Sequence, residues 1–425
     1  MHPHSPHKPH RHPNDEPDDP EPGQGPVDPD TGPVPANIPD DPEHDRIVDP
    51  KPEHGAAMPT IDQAGAPLPY EAAYEVLEDG EDTTAHELSK TLVGISDTTY
   101  ADTGQGLRSV HAKSHGLLRG ELRVLDVPLP YAQGLFAQPK AYPVLIRLST
   151  SPGDVLDDRV STPRGFAMKG LGVEGERLPD SEAATTQDFL LVNGAAFLAP
   201  TAKGFLGSLK LLAATTDKVP NLKRAFSAVL RGTEKLIEAV GGESGTIKGL
   251  AGHPETNILG ETFFSQVPYL YGPHMAKWSV APVSPELTAL AGAQVDLDDK
   301  PDGLRAAVVE HFARHGAEWE LRVQLCTSIE TMPIEDATVV WPQDQSPFVP
   351  VARIVVAPQI AWDDARSAQM DDGLAFSPWH GLAAHRPLGS INRVRRLAYA
   401  SSAGARSSRG RCPVREPAAA DATHS

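Results

Sequence analysis

Residues 319–326 read WELRVQLC, with Trp319, Leu321, Val323 and Leu325 alternating with Glu320, Arg322, Gln324 and Cys326. A period of two marks a strand that buries one face, because successive side chains leave a pleated backbone on opposite sides. Similar readings cover Leu117 to Leu125, Tyr142 to Thr150, Arg164 to Gly170, Asp188 to Asn193 and Val351 to Val356. Together they predict a mainly antiparallel sheet, open or closed. Between Ala202 and Val240 the stripe Leu222, Phe226, Val229, Leu236, Val240 has helical spacing, so a helical segment interrupts or follows the strands.

Outward from the strands the pattern stays globular over residues 67–406. Residues 1–66 are dense in Pro, Asp, Glu and His without apolar periodicity, and such a composition cannot offset the entropy of ordering. They are expected to form a disordered tail, as is the segment 407–425, SSRGRCPVREPAAADATHS. Within residues 1–50, 12 Asp and Glu face 3 Lys and Arg, so much of the net charge of −19 sits in the tail rather than in the core. His2, His4, His7, His10 and His12 offer loose metal ligands there, although such tracts are more often simply solvated.

The acidic balance argues against nucleic acid or an anionic membrane as partner, since both are bound through clustered Lys and Arg. No run of about 18 apolar residues is present, and the start, MHPHSPHKPHRHP, has no apolar stretch of signal-peptide type. A soluble, cytoplasmic protein with a small substrate is expected. Cys326 and Cys412 are too few for a disulfide framework and form no CxxC pair, so both are expected as free thiols.

Four constellations carry candidate chemistry. In RSVHAKSHG (108–116), His111 and His115 stand four residues apart, but Ala112 follows the first histidine where a hydrolytic zinc site needs Glu. In YPVLIRLSTSPGD (142–154), alternation sends Arg147 and Ser149 to one strand face: either a pocket wall that holds an anion or an edge strand facing water. In QDFLLVNGAAF (187–197) the face Phe189, Leu191, Asn193 is an apolar wall ending in one amide. Finally, HRPLGSINRVRRLAYASSAGAR (385–406) predicts a helix from about Ser390 with Arg395, Tyr399 and Arg406 on one face. A phenolate there needs a cation or a metal, because a tyrosine ordinarily ionises near pH ~10.

In this order the segments resemble the catalase family, in its small catalase-related branch, over most of residues 100–406. RSVHAK, IRLSTSPGD, TPRGFAMK and DFLLVNGAAF look like the distal half of such a site. PIEDATVVWPQDQSPFVPVARIVVAPQ and FSPWHGLAAHRPLGSINRVRRLAY look like the wrapping segment and the proximal helix. The resemblance implies an α+β fold, an eight-stranded antiparallel β-barrel with added helices, enclosing haem b whose iron is ligated by tyrosinate, as is general for catalases. It makes Tyr399 the axial ligand, Arg395 its charge partner, and Arg108, Arg147 and Arg406 the partners of the haem propionates. His111 and Asn193 become the distal pair, Ser149 orients the imidazole, Val110 narrows the channel and Phe197 walls the pocket. The implied activity is decomposition of hydrogen peroxide through a ferryl intermediate; the alternatives are a peroxidase or converter of organic hydroperoxides, and a haem carrier or sensor. A homo-oligomer is implied by relatives that assemble through their N-terminal arms.

Departures accompany the match. Thr162 stands where large catalases carry Asp in RDPRGFA, and Ala400, Ser401 and Ser402 replace the pattern after the ligand. A family histidine falls at Ser279. No NADPH is expected, because too little chain follows Tyr399 for a nucleotide-binding domain.

Overall fold

The computed structural model describes residues 65–151, 153–160, 162–216, 255–410 and 412–418. The stripe Leu222 to Val240, the histidine tract and residues 1–64 lie outside them.

Nine strands are formed: β1 Lys113–Val124, β2 Ala141–Thr150, β3 Arg164–Leu171, β4 Thr186–Val192, β5 Phe263–Phe264, β6 Tyr269–Tyr271, β7 His274–Pro282, β8 Ala317–Leu325 and β9 Val349–Val356. Their order is β5-β4-β3-β2-β1-β9-β8-β7-β6, and β5 also pairs with β7. That extra pairing closes eight strands into an antiparallel barrel and leaves β6 as a hairpin arm on β7. Closure rests on one residue of β5: Phe264 lies opposite Val192 of β4 and opposite Ser279 of β7.

The six strands read from alternation are all present. The sequence reading left out β5, β6 and β7. Two- and three-residue strands carry no period, and in β7, HMAKWSVAP, the alternation of Ala276, Trp278 and Val280 with Lys277 and Ser279 lasts only five residues before Ala281 and Pro282.

Inside the barrel, Phe166, Phe263, Trp319, Leu321 and Ile354 are fully buried, and Phe166 meets Phe263 and Trp319 at ring separations of 5.4 and 5.8 Å. Each such ring contributes about 2–3 kcal/mol by leaving water. The barrel is thus filled with side chains, and any site lies at its rim.

Four helices matter for that rim: α1 Glu81–Thr103, α2 Ala202–Thr216, α3 Gly303–Phe312 and α4 Ser390–Arg409. Leu88 and Leu92 of α1, Leu206 and Leu209 of α2, and Val394 and Ala398 of α4 form a separate apolar cluster. The start of α4 is locked in place by Arg393, which pairs with Glu75, Glu81 and Glu335. Gly389 precedes α4 at φ 82°, and a Cβ there would meet the Ile334 carbonyl oxygen at 2.5 Å, so the sharp entry needs glycine. Among the described residues no helix is long and apolar enough to cross a membrane.

Candidate active site

His111 is built into the loop just before β1. Its backbone stands at φ 53°, a left-handed conformation uncommon for a residue with a side chain and most often retained where the surroundings impose it. The imidazole lies over Gly165 of β3: a Cβ on Gly165 would fall 2.8 Å from His111 Nδ1 and 2.9 Å from Ser149 Oγ. Only glycine leaves room for the ring. Ser149 Oγ is 3.3 Å from Nδ1, and Ser151 Oγ is 3.3 Å from Nε2. Loss of water, then the guanidiniums of Arg147, Arg395 and Arg108, pull the imidazole down to about 3, so it is neutral at pH 7.

Asn193, just after β4, reaches the same strand end. Its Oδ1 accepts from the Arg164 N–H at 2.9 Å, and its Nδ2 donates to Glu261 Oε2 at 2.6 Å. Glu261 also accepts from Thr256 Oγ1 at 2.7 Å and pairs with Arg164. Neither Glu261 nor Ser151 was singled out from the sequence. Glu261 lies 68 residues from Asn193 with no spacing rule to link them, while Ser151 is only two positions beyond Ser149 and was open to the same alternation.

Arg108, Arg147 and Arg406 converge from the loop before β1, from β2 and from the last turns of α4. All three meet the turn Ser367–Asp372, a short π-helical segment. Arg147 Nε donates to Asp371 Oδ1 at 2.6 Å and Arg108 Nη1 to the same oxygen at 3.1 Å. Arg406 Nη1 and Nη2 donate to the carbonyls of Asp371 at 2.8 Å and Leu374 at 2.9 Å. Arg147 is 2% exposed, which removes the alternative of an edge strand facing water. Burial, then its two arginine neighbours, lowers Arg108; burial, then Arg147, lowers Arg406 to about 10. Burial alone would raise the Asp371 carboxyl, but Arg147 and Arg108 overcome it and hold it below its usual value.

One face of α4 looks onto this region. Ser402 Oγ is 3.0 Å from Ser109 Oγ, next to Arg108, and Ser109 Oγ is 2.8 Å from Ser96 Oγ of α1. Tyr399 lies two turns before Arg406 on that face and is partly exposed. It is within electrostatic reach of Tyr269, whose phenol is pushed up to about 12 by burial, with Arg395 acting against the rise and Tyr399 adding to it. Arg395 stacks 5.4 Å from the centre of the Phe197 ring and donates to Asn392 Oδ1 at 3.2 Å. Phe197 stands edge-on to Phe205 of α2 at 5.0 Å, and Val110 packs on the cluster of α1, α2 and α4. Phe189, by contrast, belongs to the barrel interior, edge-on to Trp278 at 5.3 Å.

Among solved structures the chain is similar to a fungal catalase, with a TM-score of 0.50 and 21% identity over 74% of this chain and 61% of that one. It is likewise similar to catalase A from Saccharomyces cerevisiae, with a TM-score of 0.52 and 18% identity over 72% and 62% of the two chains. The fold is the catalase fold. No family model and no curated protein sequence matches the chain. The part that aligns spans less than two thirds of either catalase.

On the catalase fold, the charge and donor chemistry of this rim fit a haem. Arg108 and Arg147 bond the Asp371 carboxylate, Arg406 bonds backbone carbonyls beside it, and Asp372 acts on Arg108 and Arg406 at electrostatic range, so three guanidiniums face two carboxylates and the excess positive charge suits a ligand that brings carboxylates. The Tyr399 hydroxyl has no hydrogen-bond partner among the described residues. At the departures, Thr162 Oγ1 donates to the Ser151 carbonyl at 2.5 Å, so it braces the residue that touches His111 Nε2. Ser279 is buried at the barrel seam and takes no part in the rim.

Proposed function

We propose that this chain is a haem-dependent hydroperoxidase that decomposes hydrogen peroxide, with haem b ligated through Tyr399. The reading is carried by the cluster of Arg108, Arg147 and Arg406, of which Arg406 shares the α4 face of Tyr399 while Arg147 and Arg108 act on His111. Bound haem supplies an iron centre able to take oxidising equivalents from a peroxide and pass them on. The protein's own contribution is positioning and proton handling. Arg108, Arg147 and Arg406 would pair with the propionates, and Arg395, one turn before Tyr399, would be the cation beside the iron-ligating oxygen. His111 is neutral, so Nε2 accepts the proton of HOOH and returns it to the departing oxygen, while Ser149 on Nδ1 fixes the ring. The free N–H of Asn193 Nδ2 is available to the oxygen that gains charge. Phe197 and Val110 keep the approach narrow and apolar.

A second reading, a peroxidase or converter of organic hydroperoxides, has a specific observation in its favour. Glu261 and the Arg164 N–H hold both ends of the Asn193 amide, and Thr162 stands in place of an anion. Both features weaken the handling of a small peroxide without touching Tyr399.

The deciding experiment is a spectrum of the protein reconstituted with haem, followed by an oxygen-electrode assay. A high-spin ferric Soret band that is lost or shifted in Tyr399→Phe, with oxygen release above a free-haem control, is expected. A band indifferent to Tyr399→Phe refutes the ligand, and oxidation of an organic donor without oxygen release selects the second reading.

A further inference from the structure

The arginine cluster carries excess positive charge suited to carboxylates, but its hydrogen bonds are already committed. Both terminal nitrogens of Arg108 and both of Arg406 are turned onto the carbonyls of residues 370–374, and Arg147 spends Nε on Asp371 and Nη2 on the Ala112 carbonyl at 3.1 Å. The carboxylate of Asp371 sits in a built seat. Oδ1 receives Arg147 and Arg108; Oδ2 receives Ser114 Oγ at 2.5 Å and Ser367 Oγ at 3.5 Å. Trp362 Nε1 in turn donates to Ser114 Oγ at 2.9 Å, which fixes the serine.

The surrounding backbone explains why the turn stays there. The Ser367–Asp372 turn ends in carbonyls that lack partners within the turn, and a helical C-terminus attracts cations. π-helical turns also tend to occur at functional positions, where an extra residue re-aims the chain. The tail adds one tie: the Arg415 N–H donates to the Gly373 carbonyl at 2.9 Å.

We propose that Asp371 is an internal competitor for the haem propionates, a binding determinant whose carboxylate holds guanidinium donors that the propionates would need. This rests on the haem reading above. The physical reason is that two carboxylates entering the cluster meet a third already there, and like charges brought together in a buried site oppose binding while the guanidiniums are shared. Asp371 then serves two ends. It keeps Arg147 and Arg108 from facing each other uncompensated, and by holding their donors it sets haem affinity.

The test is a titration of the full-length apoprotein with ferric haem, read by Soret absorbance and tryptophan quenching, beside haem dimethyl ester, which has no free carboxylates. Asp371→Asn is expected to bind haem more tightly by roughly tenfold or more, to leave ester binding unchanged, and to lower the melting temperature of the empty protein. Ser114→Ala, which loosens the seat but keeps the charge, shifts haem affinity the same way by a smaller factor and carries the test if Asp371→Asn does not fold. Haem affinity in the folded variant equal to or below that of the parent protein overturns the proposal while the haem reading stands. An equal gain for the ester also overturns it, because that places the effect outside the propionates. Failure of the parent and both variants to take up haem refutes the haem reading itself, and this proposal with it.

Discussion

Two buried charge clusters tie the C-terminal part of the chain to the barrel, and they are balanced in opposite ways. At one, Lys169 of β3 is fully buried and meets Asp188 of β4 at 2.8 Å and Glu416 at 2.5 Å, with His380 Nδ1 3.3 Å from each carboxylate. At the other, Arg108 and Arg147 share the Asp371 carboxylate while Arg406 bonds backbone carbonyls of the same turn, with Asp372 at electrostatic range. The first sets Lys169, with Arg177 at electrostatic range, against the two carboxylates of Asp188 and Glu416, and the ammonium stands among the three metal-ligating atoms that Asp188, His380 and Glu416 bring within 4.8 Å. It is complete without a ligand. The second carries surplus positive charge in a place where water is scarce. A buried cluster that balances itself holds a fold together, whereas one left with an excess of one sign is prepared for a partner of the other.

Breaking the balanced cluster is therefore expected to give the largest loss of stability. Lys169→Met leaves Asp188 buried without its cation and costs about 3–5 kcal/mol, read by urea unfolding; a cost no greater than that of an arginine variant would erase the contrast. The second largest effect is on acid stability. The imidazole of His385, fully buried, is held down to about 4 by desolvation, and His115, also fully buried, lies well below its usual value for the same reason with Lys113 and other cations adding to it. The unfolded chain takes up protons near pH ~6.5 that the folded chain refuses. This stability is full above pH ~6.5 and drains away as pH falls toward about 4, on the order of 1–2 kcal/mol per histidine by pH ~5. Melting temperatures between pH ~7 and ~5 measure it.

Arg406→Met sharpens the comparison from the other side. The carbonyls of Asp371 and Leu374 that it serves are also served by Arg108, and its removal relieves repulsion from Arg147. The expected loss of stability is about 1 kcal/mol, well below that of Lys169→Met, while haem uptake falls. The smallest effect is expected for Ser402→Ala, which removes one bond to Ser109 while Ser96 still holds it. A loss of about 0.5–1 kcal/mol in chemical unfolding, with haem uptake retained, is expected.

Local pattern carried much of this molecule. Six of nine strands were legible because polar and apolar side chains alternate along them, and Arg395, Tyr399 and Arg406 were legible as one helical face because 3.6 residues complete a turn. What local pattern cannot carry is pairing across distance. The seam at Phe264, a two-residue strand joining β4 to β7, has no period to betray it. Glu261 beneath Asn193, and Asp371 within three arginines drawn from positions 108, 147 and 406, are neighbours only because the barrel and α4 bring remote segments to one rim. The sequence by itself determined which residue types were available for chemistry. Tertiary structure alone decided which charges were satisfied and which were left in surplus, because a carboxylate's effect depends on the distance and burial of its partners and not on its place in the chain.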